Sequence, residues 1–138
     1  MRAGLAYFAL VFALGFVFGT ARTLLLARFP DFTRFAAVLL ELPAILTASW
    51  LICRFLIRRL AVPDTLRARA IMGAAAFVLL MVAETALGML LAGETVAGHF
   101  ALYRESAHAL GLAGQAVFAL MPLVAGGGPP PSRTRPVR

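Results

Sequence analysis

GFVFGTARTLLLA (residues 15–27), RFPDFTR (28–34) and FAAVLLELPAILTASW (35–50) follow one another without a gap. Two apolar runs are thus joined by a seven-residue polar break, and each run holds one charge. Arg22 lies nine residues before Asp31 at the centre of the break, and Glu41 lies ten residues after it. If the runs are helices crossing a bilayer as a hairpin, these opposite charges sit at nearly the same depth. At 1.5 Å of rise per residue, Arg22 is about 8 Å and Glu41 about 9 Å from the turn end of its helix.

The composition around this hairpin agrees with it. The chain has 138 residues, of which 62% are hydrophobic and 14% charged. A soluble domain carries about a quarter charged residues. The apolar residues also come in long blocks, as a hydrocarbon layer of about 30 Å requires. An integral membrane protein is predicted. The net charge of +7 does not indicate nucleic acid, because the basic residues, all arginine, are scattered between the apolar blocks. Cys53 is the only cysteine, which excludes an intramolecular disulfide and a cysteine metal cage. It reads as a small buried apolar residue.

Four apolar runs are present, at about 5–27, 35–57, 70–92 and 107–124, each near the roughly 20 residues a spanning helix needs. Lipid leaves no partner for an unpaired amide, so each is expected to be helical. The predicted fold is all-α: an integral membrane bundle of four transmembrane helices over residues 1–124. A basic, disordered cytoplasmic tail follows over 125–138, where AGGGPPPSRTRPVR has no apolar periodicity. The opening partly resembles a secretory signal, with Arg2, an apolar stretch and Gly19-Thr20-Ala21. Its length and the three spans behind it favour an uncleaved first helix.

Arginines orient the bundle. Arg2, Arg58, Arg59, Arg67, Arg69, Arg133, Arg135 and Arg138 flank one side; Arg28, Arg34 and Arg104 flank the other. The positive-inside bias then places both termini in the cytoplasm. In the second loop, Asp64 or Thr65 is a helix cap after Pro63. In the third, Val96, Phe100 and Tyr103 share one helical face, which suits a short helix in the outer interface. Arg54, Arg58 and Arg59 are expected to snorkel to the inner interface, and Trp50 is an anchor or a packed core residue.

The candidate site is a polar cluster inside the membrane: Arg22, Glu41, Glu84 and Gln115. Glu84 and Gln115 lie about 12 Å from the outer end of their helices. A lone ionised group at such depth costs at least ~2.5 kcal/mol, so partners are expected. In a structural role, Arg22 bridges Glu41 and also Glu84, and Gln115 completes the hydrogen bonds. In a proton or ion path, two carboxylates facing one arginine leave one acid without full counter-charge. Glu84 is that acid. The structural role is expected first in so short a chain.

Pro43 removes the amide that bonds the Leu39 carbonyl, and so can kink the second helix beside Glu41. Gly15 with Gly19, and Gly111 with Gly114, are candidate helix-packing glycines. His99 and His108, with Tyr103 between them, are a poor metal pair and suit a solvated interface. No cofactor is expected. No phosphate loop, H-E-x-x-H or G-x-S-x-G occurs, so no named catalytic arrangement is present. An enzyme on a lipid-like substrate would need polar groups clustered at a membrane face, whereas these lie within the helices.

The pattern G-x-x-x-G-T-x-R over 15–22, L-E-L-P over 40–43 and the pair Arg58-Arg59 resembles small four-helix inner-membrane proteins of proteobacteria. The resemblance covers about residues 7–124. It implies a multi-pass protein of the bacterial inner membrane and brings no activity with it. The expected function is non-enzymatic: a structural or accessory component of a membrane assembly. The alternative is a proton- or ion-coupled carrier or channel subunit using Glu84 or Glu41. The expected partners are the lipid bilayer and either a second copy or a larger membrane protein.

Overall fold

The computed structural model describes residues 2–29, 31–93 and 95–125. Among the described residues five helices form: α1 (Arg2–Arg28), α2 (Arg34–Arg59), α3 (Leu66–Ala92), α4 (Val96–Leu102) and α5 (Ser106–Val124). All but α4 are long and apolar enough to cross a membrane, and the described residues contain no strand. Residues 126–138 of the predicted tail lie outside the described residues.

Threonine hydroxyls start three of the helices. Thr33 accepts the Ala36 amide at 3.2 Å, Thr65 the Ala68 amide at 3.2 Å, and Thr95 the Gly98 amide at 3.0 Å. Each satisfies an amide that the first turn leaves without a partner. Because Thr65 is the cap, α3 begins at Leu66, four residues before the apolar run. Arg67 and Arg69 therefore belong to its first turns and not to a loop. Arg69 is buried, donates from Nε to the Pro63 carbonyl at 3.2 Å and places Nη2 3.6 Å from Asp64 Oδ1. It ties the short α2–α3 connection down.

Large apolar side chains are exposed on every long helix, among them Leu5, Leu24, Leu40, Leu51, Phe55, Val82 and Leu120. Water tolerates no such surface, but lipid requires it. Inside this coat, α1 packs against α2 and α3, and α5 packs against the same two, so the order around the bundle is α1, α2, α5, α3. Helix α4 rests on α3.

The half of the bundle near the start of α1 and the end of α5 is tightly packed. Tyr7 and Val11 meet Cys53, Leu56 and Ile57 from α2, Met72, Ala76 and Leu80 from α3, and Phe118 and Met121 from α5. Cys53 is fully buried there, and Trp50 packs against the cluster as a core residue. Close approach depends on Gly4 and Gly73. A Cβ on Gly4 would lie 3.0 Å from the Met72 carbonyl oxygen, and one on Gly73 would overlap the carbonyl oxygen of Ala119.

Tyr7 reaches across the bundle and donates to the Phe118 carbonyl at 3.2 Å. That carbonyl would ordinarily accept the amide four residues on, but position 122 is a proline within α5. Tyr7 thus replaces a bond that the sequence of α5 forbids. Tyr7→Phe is expected to cost about 1–3 kcal/mol by orphaning a buried acceptor. In a Pro122→Ala background the restored amide serves that carbonyl, and the loss should fall by at least about half. Unfolding in detergent reads this cycle; equal losses in both backgrounds would refute the substitution of one bond by the other. Pro43 likewise lies inside a continuous helix, α2.

Candidate functional site

Toward the end that carries the α1–α2 turn and α4, the helices separate. A cavity of about 580 Å³ opens between them. Val11, Ser49, Leu80 and Phe118 form its inner limit, and Thr23, Arg34, Leu91 and His108 lie toward its rim. Apolar side chains make most of the wall. Arg22, Glu41, Glu84 and Gln115, the four residues expected to cluster, all line it.

They form two pairs. Arg22 Nη1 donates to Glu41 Oε1, joining α1 to α2 as the equal spacing from Asp31 requires. Gln115 Nε2 donates to Glu84 Oε2 at 2.6 Å, joining α5 to α3. Among the described residues no ion pair links Arg22 to Glu84, so the expected bridge from one arginine to both acids does not form. The bundle order explains this: α1 and α3 are neighbours, but Gln115 on α5 reaches Glu84 first. The two acids therefore differ in kind. Glu41 has a cation against it, whereas Glu84 is held by a neutral amide.

His99, Tyr103 and His108 come together at the cavity end of the bundle. All three line the cavity and are partly buried. Gly93 adopts the left-handed conformation (φ 67°) and ends α3, which turns the chain back so that α4 lies over the cavity mouth. The His99 and Tyr103 rings meet edge to face at 5.7 Å. Val96 and Phe100 remain exposed, as the interfacial reading of α4 expected, but Tyr103 turns inward. Burial, and after it the nearby Glu84 carboxylate, push the Tyr103 hydroxyl up to about 12, so it stays a neutral donor and acceptor. His108 Nδ1 lies 3.2 Å from Glu105 Oε2 at the start of α5. Among the described residues no three His, Cys, Asp or Glu side chains are placed to hold a metal ion.

The glycines divide. A Cβ at Gly114 would press on Leu42, so this glycine does allow α2 and α5 to close. At Gly15 and Gly111 a Cβ would meet nothing within 4 Å, and at Gly19 only the Arg22 guanidinium at 3.8 Å. Those three are not helix-packing positions; they line the cavity and widen it. The other packing glycines are Gly4 and Gly73, which no small-residue pair in the sequence marked. Ser49 was missed as well. It is fully buried at the inner limit of the cavity, and its hydroxyl has no hydrogen-bond partner.

The arrangement defines a class: a multi-pass membrane protein whose four apolar helices enclose, at one end, a mostly apolar cavity that holds a polar cluster. Compared with known proteins, the chain matches no family model, no curated protein and no solved structure.

Proposed function

We propose that this protein is a proton-coupled carrier subunit of the bacterial inner membrane that takes the proton onto Glu84. The observation that carries the reading is the cavity's unequal acids. Arg22 pairs directly with Glu41, whereas the hydrogen bond to Glu84 comes from a neutral amide and Arg22 and His99 act on it only through space. An ionisable group inside a membrane bundle without full counter-charge marks an ion or substrate pathway. The arginine bias supports placing both termini in the cytoplasm, so the cavity opens to the outer side. Placement in the inner membrane extends the resemblance drawn from the short motifs at 15–22 and 40–43. The packed half around Tyr7, Cys53 and Phe118 closes the inner side, so release inward requires those helices to part or a second copy to complete the path.

That closed half also supports a second reading, a structural or accessory component of a membrane assembly in which both polar pairs only fix helix register. Proton flux into liposomes under an imposed pH gradient and potential decides between them. The carrier reading expects flux above empty liposomes for the wild type and its loss in a folded Glu84→Gln variant. No wild-type flux, or flux unchanged in the variant, sinks the carrier reading. Co-purification with a larger membrane protein would then support the accessory one.

A further inference from the structure

We propose that the cavity binds an amphiphilic primary amine, its ammonium on Glu84 and its apolar body against the helix walls. The inference rests on Glu84 being the cavity's working carboxylate, and it adds the class of ligand. Size comes first. About 580 Å³ lies within the range of roughly 300–1,000 Å³ typical of small-molecule sites and far exceeds what a bare ion fills. Phe12, Phe16, Leu46, Leu80 and Phe118 supply a wall suited to a hydrocarbon or aromatic body.

Charge comes second. Of the cavity's two arginines, Arg22 is committed to Glu41, and Arg34 is exposed at the rim, where water screens it. Glu84 forms no ion pair with either arginine, although Arg22 and His99 lie near enough to act on it through space, so it is the cavity carboxylate that an added cation would meet.

Hydrogen-bond demand comes third, and it is independent of charge. A carboxylate only accepts, so Gln115 must turn its amide nitrogen to Glu84. This leaves Gln115 Oε1 without a donor. The buried Tyr103 and Ser49 hydroxyls likewise have no partner. All three atoms can accept. An orphaned buried polar atom costs about 1–3 kcal/mol, and Gln115 Oε1, which can only accept, calls for a donor, while the two hydroxyls can take either role. A primary ammonium brings three N–H groups with its charge; a quaternary ammonium brings none.

The test uses monodansylcadaverine, a primary amine on an apolar fluorophore, with the protein in detergent and no gradient. Trp50 is the only tryptophan and adjoins Ser49, so energy transfer from it to the dansyl group reports entry. Saturable transfer is expected for the amine. Affinity should fall roughly tenfold or more for the N-acetylated probe, which keeps the fluorophore and loses the charge. The trimethylammonium analogue should fall between them. Glu84→Gln should weaken the amine by a similar factor, whereas Asp31→Asn in the α1–α2 turn should leave it unchanged. The comparison of probes needs no variant, so misfolding of Glu84→Gln leaves the proposal testable. Equal affinity for the amine and its acetylated form, or no saturable transfer from either, overturns it. Binding without proton flux would keep the ligand class and remove the carrier; flux without binding would do the reverse.

Discussion

Arg22→Gln is expected to destabilise the bundle by about 2–3 kcal/mol, and Glu41→Gln in the same chain should recover most of that loss. The reason is an asymmetry between the two side chains. Removing the guanidinium leaves Glu41, whose side chain is 13% exposed, as an isolated charge on a short stem with little access to water. Removing the carboxylate instead leaves Arg22 at 29% exposure, and its long stem can carry the charge toward the cavity mouth. Glu41→Gln alone should therefore cost less, about 1 kcal/mol. Loss of both charges leaves two amides able to bond each other. The value for Arg22 is set below that of a fully buried pair because the cavity admits some solvent. Unfolding by a denaturing detergent in mixed micelles gives all four corners of the cycle. Additive losses would show that the two charges do not depend on each other.

Gly73→Ala is expected to cost about 3 kcal/mol, although the residue gains a single methyl group. What the methyl meets decides the size. It would overlap the Ala119 carbonyl oxygen, which belongs to the backbone of α5 and cannot rotate away. The two helices must separate, and the contacts between α3 and α5 loosen along with Tyr7 against Phe118. Gly15→Ala and Gly111→Ala add the same methyl where nothing lies within 4 Å, and should change stability by no more than about 0.5 kcal/mol. The same unfolding experiment separates them. A mild effect at Gly73 with a severe one at Gly15 would mean that the helices pack on other faces.

The hairpin of α1 and α2 was legible because it depends on spacing alone. Residues equidistant from a turn reach equal depth in antiparallel helices, so Arg22 and Glu41 meet whatever the rest of the bundle does. The spans were legible for a similar reason: lipid imposes a length and an apolar composition that few other environments demand. The extended start of α3 was half legible, since Thr65 was a candidate cap but Arg67 and Arg69 looked like loop residues. Glu84 and Gln115 were recognisable as buried polar groups, but not as each other's partners. That pairing depends on which helices are neighbours, and the sequence carries no sign of the order α1, α2, α5, α3.

The sequence by itself therefore determined a membrane bundle of four long helices and one charge pair within it, because hydropathy and depth are properties of single segments and hairpins. Only the tertiary structure decided that Gln115 and not Arg22 bonds Glu84, that Gly73 and not Gly15 is a packing position, and that His99 and Tyr103 face a cavity. Each of these is a contact between segments distant in the chain. Apolar residues cover every side of these helices, so no amphipathic stripe marks which face turns inward. In lipid the inward face is chosen by close packing and by polar partners, and both exist only once the helices have met.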